Sequence, residues 1–251
     1  MAAKKHIVFD VVGTCVSFDA FYARIAQILG PCLLAQNINP SHFGYTWKEA
    51  AELEFYFLLF SERYTPYNEI FKAIFYRSLF MAGISNPREF ATDEERDACQ
   101  AGYSELELRE GCVDMMGKLR KEGWTVWCLT TGDVGRVGGY FEKAGLEMPR
   151  ENLVSCDQFG EVDPITGVRK RVYKPSMESY KSMLKLLGEA DEKWFVAAHM
   201  WDVSAAVKAG FRGAYCSVLE KEPCSEIFDT TTDAIADTLP ELADKVIAAT
   251  S

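Results

Sequence analysis

The chain has 251 residues, 48% of them hydrophobic and 25% charged, enough to bury a full core and to carry one large domain with a sizeable insertion. Its formal net charge of −10 argues against nucleic acid or an anionic membrane as partner, because both call for a basic patch; an anionic ligand would need locally placed cations. No stretch approaches ~18 uninterrupted apolar residues, Met1 to Lys5 lacks the apolar run of a signal peptide, and the eight cysteines form no Cys-x-x-Cys pair, which predicts a cytoplasmic protein with reduced thiols and no zinc.

The first element is a short buried strand. Ile7, Val8 and Phe9 are β-branched or aromatic, and the run breaks at Asp10, with Gly13 three residues on and Thr14 beside it. In open α/β sheets ligands sit beyond the carboxyl ends of the strands, so a carboxylate there projects into a site, although Asp also opens ordinary turns. The pattern then becomes helical. Phe18 to Leu29 has apolar residues at helical spacing and is predicted to stop at Gly30-Pro31. A second helix is predicted over Trp47 to Tyr64, and a third over Tyr67 to Ala82, opened by Thr65-Pro66 and followed by Gly83. Thr92-Asp93-Glu94-Glu95 reads as a capping box for a fourth helix running towards Leu108. No strand is expected between residues 18 and 108.

From Gly111 the rhythm changes. Helices over 113–122, 134–144, 176–187, 202–209 and 239–249 alternate with strands over 125–129, 153–154, 194–198 and 213–216. Such alternation predicts an α/β fold with a doubly wound parallel sheet. The core would comprise residues 1–15 and 110–251, interrupted by a helical insertion, residues 16–109, placed over the sheet's carboxyl edge.

Three later segments converge where Asp10 points: Thr130-Thr131-Gly132-Asp133 after a strand, Val172-Tyr173-Lys174-Pro175 before a helix, and His199-Met200-Trp201-Asp202 after another strand. A lysine within ~4–6 Å would hold Asp10 ionised. Thr14 or Thr130 could donate to its second oxygen, and Asp202 could pair with Lys174. Each has a plainer alternative: a solvated lysine before a turn proline, a helix cap at Asp202, and a strand-exit turn at Thr130-Thr131. Their order along one sheet favours a site.

In that order the motifs resemble the haloacid dehalogenase superfamily, and within it the 2-haloacid dehalogenase branch. The likeness is carried by Phe9-Asp10-Val11-Val12-Gly13-Thr14, by Tyr173-Lys174-Pro175 with Tyr180 beyond, by Trp201-Asp202 through Ala209-Gly210-Phe211, and by a helical cap after the first motif. The resemblance implies that Asp10 is a nucleophile forming an ester that water then hydrolyses. It implies a catalytic set of Asp10, Thr14, Thr130, Lys174, His199 and Asp202, and substrate-binding positions at Val12, Lys48, Tyr67, Thr131, Tyr180 and Trp201. A small carboxylate-bearing substrate, no cofactor, no metal, and room for a homodimer follow from it.

Departures from the pattern shape the expected chemistry. Superfamily phosphatases carry a second Asp two residues after the nucleophile; here that residue is Val12, which disfavours phosphoryl transfer. Lys48 stands where the branch has an Arg, as a point cation in place of a fork, and it can equally pair with Glu52 on a helix surface. Thr130-Thr131 replaces Ser-Asn, and Ala197-Ala198-His199 replaces Ser-x-Asn. His199, with an ordinary pKa of ~6.5, becomes the candidate base for the hydrolytic water, against a purely structural histidine. Asp202 is expected to have a pKa lowered by Lys174 and so to be the poorer base. The alternative class is an altered relative that uses a different carbon electrophile or only binds a ligand.

Overall fold

The computed structural model describes residues 4–167 and 169–250. Met1 to Ala3, part of the stretch read above as lacking the apolar run of a signal peptide, lie outside the described residues. The chain forms two compact units, Met1–Ser17 with Glu107–Ser251, and Phe18–Leu106.

The first unit is an α/β sandwich. Its strands are β1 (Lys5–Phe9), β2 (Val16–Ser17), β3 (Glu107–Leu108), β4 (Trp124–Thr130), β5 (Leu153–Ser155), β6 (Glu192–Ala197), β7 (Arg212–Cys216) and β8 (Ala234–Ala236). Six of them form one parallel sheet in the order β5-β4-β1-β6-β7-β8, while β2 and β3 make a separate antiparallel pair. The apolar run Ile7-Val8-Phe9 is at most 1% exposed because it is the centre of that sheet, paired on both sides. Burying each such side chain is worth roughly 1.5–3 kcal/mol. The strand order reverses at β1: the chain goes out through β4 to β5 and then returns to the other side of β1 with β6. A crevice beyond the strand ends opens at such a reversal, and Asp10 lies there.

The sequence missed β8, and it expected no strand at Glu107–Leu108, which pairs with Val16–Ser17. Two-residue and three-residue strands are too short to show a period. The unit's helices follow the expected places to within two residues: α7 (Cys112–Lys121), α8 (Val134–Lys143), α9 (Met177–Leu187), α10 (Met200–Ala209) and α11 (Leu239–Ala248), numbered after the six helices of the second unit.

Those six are α1 (Asp19–Ala35), α2 (Pro40–Phe60), α3 (Tyr67–Ala73), α4 (Phe75–Met81), α5 (Pro87–Phe90) and α6 (Asp93–Ala101). Helix α1 does not stop at Gly30-Pro31 but runs through it to Ala35. The exposed Pro31 forfeits one backbone bond, while the next turn buries Leu33 directly after Leu29, and that packing prevails. Helix α2 begins seven residues before the predicted start, at Pro40, capped by the Asn39 side chain, which accepts the Ser41 and His42 N–H groups. The third predicted helix is two, broken at Ile74, and its Thr65 is not the cap. Thr92 and Glu95 form the capping box, but α6 ends at Ala101. The short α5 was not foreseen. Trp47 holds this unit together: it is buried, stacks on Phe71 at 4.1 Å between ring centres, and donates its indole N–H to the Phe71 carbonyl at 2.7 Å.

All eight cysteines are free, and only Cys32 and Cys224 are exposed. Burial pushes the Cys128 thiol up, that of Cys99 to about 12 and that of Cys156 to about 11, so these stay protonated near neutral pH. The native protein should therefore react rapidly with a thiol reagent at Cys32 and Cys224 alone, and at all eight after denaturation. Mapping the labelled peptides checks this; fast labelling of Cys128 or Cys156 would contradict the burial.

Candidate active site

Asp10 follows β1 directly, and its N–H still donates to the Val196 carbonyl at 2.9 Å, so the sheet itself fixes the backbone of this residue. The chain then turns tightly. Gly13 donates to the Val16 carbonyl and Val16 to the Val11 carbonyl, both at 2.9 Å, with Gly13 at φ 95°, a left-handed conformation that a side chain would strain. The turn brings Thr14 back over Asp10. The Thr14 hydroxyl donates to Asp10 Oδ2 at 2.7 Å and accepts the Ala198 N–H at 2.8 Å. Its orientation is thereby set from both sides.

Lys174 enters from the segment preceding α9. Its Nζ donates to Asp10 Oδ1 at 2.6 Å and to Asp202 Oδ2 at 2.5 Å, and the Tyr180 hydroxyl donates to Asp202 Oδ1 at 2.5 Å. The four residues are a continuous buried chain, Tyr180 to Asp202 to Lys174 to Asp10, and Asp10, at 6%, is its most exposed member. Burial alone would push the Lys174 ammonium down, but Asp10 and Asp202 outweigh it and its pKa stands above the ordinary value. For Asp202 the balance runs the other way: complete burial, aided by the like charge of Asp10, raises its carboxyl against the pull of Lys174 and Tyr180. This corrects the expectation of a lowered value. One cation serves two carboxylates in a dry site, and spacing in the sequence says nothing about dehydration.

Of the two threonines offered for Asp10, Thr14 is the one bonded to it. The Thr130 hydroxyl, at the end of β4, accepts the Gly132 N–H at 3.0 Å and closes the strand-exit turn, and Thr131 is exposed. Val12 is half-buried and bridges to Val16. Tyr180, placed by the sequence among substrate-binding residues, is fully buried and spends its hydroxyl on Asp202. The cap of α10 is His199 and not Asp202, which sits in the first turn.

The His199 ring stacks on Trp201 at 5.4 Å, and its Nδ1 lies 3.0 Å from Glu220 Oε1. The other Glu220 oxygen accepts the Met200 N–H at 2.9 Å. The sequence missed Glu220: in Leu219-Glu220-Lys221-Glu222 it reads as one more solvated charge, and only the fold brings it beside α10.

Lys48 and Tyr67 belong to the helical unit. Lys48 is 2% exposed, with Nζ 2.5 Å from Glu49 Oε1, 3.1 Å from Glu52 Oε1, and 4.8 Å from the centre of the Phe18 ring. The pairing with Glu52 is present, but the lysine is buried and not on the helix surface. Burial would lower its pKa; Glu52 and Glu49 more than reverse this. The Tyr67 hydroxyl donates to the Lys48 carbonyl at 3.4 Å. Among the described residues no three His, Cys, Asp or Glu side chains converge in a way that could hold a metal ion, and no helix is long and apolar enough to cross a membrane.

Residues 4–210 match the family model of the haloacid dehalogenase-like hydrolases. An (S)-2-haloacid dehalogenase, 4A, of Burkholderia cepacia is 24% identical over 117 residues, so the match spans about half of each chain, 46% of both. Among solved structures, the L-2-haloacid dehalogenase of Xanthobacter autotrophicus superposes with a TM-score of 0.71 at 18% identity, covering 97% of this chain and 98% of that one. The L-2-haloacid dehalogenase RSc1362 does so with a TM-score of 0.76 at 18% identity, covering 98% and 99%. The Xanthobacter enzyme has also been solved with chloropropionic acid covalently bound. At these identities the structural likeness shows a shared fold.

Proposed function

Since the chain belongs to the haloacid dehalogenase-like hydrolases, we propose that it hydrolyses a small carboxylate-bearing substrate through an ester on Asp10, with a 2-haloacid as the reference case. The observation that carries this reading is the Asp10 carboxylate, anchored by the sheet, bonded by Lys174 on one oxygen and Thr14 on the other, and still slightly open. An oxygen of Asp10 attacks the halogen-bearing carbon; the new C–O bond forms as the C–halogen bond breaks, and halide leaves with the electron pair. Water then adds at the Asp10 carbonyl carbon, the hydroxy acid departs with the original Asp10 oxygen, and the water oxygen remains on the enzyme. The covalently bound chloropropionic acid of the Xanthobacter structure is in keeping with such a step. In this reading Lys48 is the candidate cation for the substrate carboxylate, which has to displace Glu49 or Glu52 from it.

Val12 removes the carboxylate on which metal-dependent phosphoryl transfer relies, so halide release from short 2-halo acids should proceed at an unchanged rate in EDTA. A rate that collapses in chelator and returns with magnesium would sink the reading in favour of a phosphatase-like site.

For the second half-reaction we assign His199 as base. Both Asp202 oxygens already accept hydrogen bonds and the residue is fully buried, so its raised pKa does not make it available. Glu220 at Nδ1 orients the imidazole of His199. General-base assistance contributes ~10²–10⁴-fold, so His199→Ala should slow ester hydrolysis by that order and leave ester formation nearly intact. Intact-protein mass after mixing with substrate should show an adduct accompanying a burst of halide. Normal turnover with no adduct would make His199 a packing residue.

A further inference from the structure

We propose that Arg109 is a positioning residue for the nucleophile, acting through the turn that carries Thr14; the inference rests on the reading of Asp10 given above. Arg109 follows β3. Its Nε donates to the carbonyls of Gly13 at 3.3 Å and Thr14 at 3.2 Å, and its Nη2 to Gly13 at 3.0 Å. Its backbone N–H donates to the Cys15 carbonyl at 2.8 Å. One residue thus engages three consecutive carbonyls of the turn.

The chemistry suits an arginine. Carbonyls on the outside of a tight left-handed turn have no ladder partner, and leaving them unpaired in a half-buried place is costly. A planar fork of N–H groups meets two adjacent oxygens at once; a lysine meets one. The consequence reaches Asp10 through one link. Thr14 spans the Ala198 N–H and Asp10 Oδ2, so a turn that rocks about Gly13 shifts the hydroxyl that aims the carboxylate. In these bonds Arg109 meets backbone carbonyls and not a reacting atom. Arg109 also lines a cavity of about 360 Å³ within the α/β unit, bounded among others by Gly111, Tyr140 and Lys143. Removing the side chain therefore leaves room for a small guanidinium ion to enter in its place.

The test compares the wild type with Arg109→Met, Arg109→Lys and Arg109→Ala, using 2-chloropropionate as substrate. The variants should fold, because the backbone bond to Cys15 and the pairing of β2 with β3 do not use the side chain. A misplacement of about 1 Å in a reacting group can cost about 10²-fold, so kcat of Arg109→Met should fall about 10–100-fold with KM within about twofold. Arg109→Lys should recover part of that loss, and millimolar methylguanidinium should raise kcat of Arg109→Ala but not of the wild type. Independently of any turnover, hydrogen exchange should quicken at the amides of Gly13 to Val16 and at Ala198, and not elsewhere. Unchanged kcat and unchanged exchange in a folded Arg109→Met would overturn the proposal, as would a loss that follows a general fall in stability with no response to methylguanidinium. Should the wild type release no halide from any short 2-halo acid, the reading of Asp10 fails, and the exchange pattern alone decides whether Arg109 holds the turn.

Discussion

Replacing Asp10 by Asn is expected to remove turnover by about 10⁴-fold or more, as loss of a covalent nucleophile does when the remaining groups only bind and polarise. The isosteric amide is also a poor guest in this site. Lys174 and Thr14 both donate towards Asp10, so one of them would face the amide NH₂ and not an oxygen. The amide oxygen should turn to Lys174, and the Thr14 hydroxyl would have to redirect its proton. The chemical signature of the wild type is more telling than the rate. During multiple turnovers in ¹⁸O-water the peptide containing Asp10 should grow heavier, because hydrolysis at the aspartyl carbonyl leaves the water oxygen on the enzyme. Label that enters the product and never that peptide would mean that water attacks the substrate directly, and the ester would be excluded.

The second large effect is expected on stability. Lys174→Met deletes the cation that lies within 2.6 Å of both Asp10 and Asp202, and leaves two buried carboxylates without their shared partner. Breaking a buried ion pair from one side costs about 3–5 kcal/mol, and activity should be lost with it. The dependence on pH has a definite sign. Asp202, already raised by burial, loses the attraction that opposes the rise, so its folded pKa moves further above its unfolded one. A raised carboxyl takes up a proton more readily when folded. The deficit should therefore be fully developed above the folded pKa and shrink as pH falls towards the unfolded value of ~3.9. Denaturant unfolding of variant and wild type from neutral to acidic pH measures this directly. A deficit that is constant across the range would point to lost packing of the lysine stem and not to the unpaired carboxylates.

The parts of the structure that could be read in the sequence are those written as periodicity or as strong local chemistry. The buried run Ile7-Val8-Phe9, the strand–helix alternation after Gly111 and the Thr92–Glu95 capping box are of this kind. What could not be read was decided by tertiary packing. Pro31 carries the signal of a helix end, yet the burial of Leu33 carries α1 through it; β8 and the β2–β3 pair are too short to leave a pattern. At the site, the sequence marks Asp10 with Thr14 and Asp202 just beyond strands and Lys174 just before a helix, but it marks Thr130 equally, whose hydroxyl turns to the Gly132 N–H and not to Asp10. The sign of the Asp202 shift was not legible, because dehydration depends on what surrounds a group in three dimensions. Glu220 and Arg109 act on the site through contacts 21 and 95 residues distant in sequence, His199 and Thr14 respectively, and no local motif marks either.

The small ribbon of β2 and β3 has a meaning for the chain as a polymer. Val16 lies opposite Leu108 and Ser17 opposite Glu107, so the chain leaves the α/β unit and re-enters it at one spot. Everything between is, for the sheet, a closed loop whose ends are stapled by two residue pairs. The entropy of closing such a loop grows only with the logarithm of its length, about 0.6 kcal/mol for each doubling. The sheet is therefore nearly indifferent to how much chain hangs from the staple. As far as loop closure goes, residues 18 to 106 could be lengthened, shortened or exchanged for another fold at a penalty smaller than that of one poor core substitution, so the sheet that carries Asp10 is closed by the staple and not by what hangs from it.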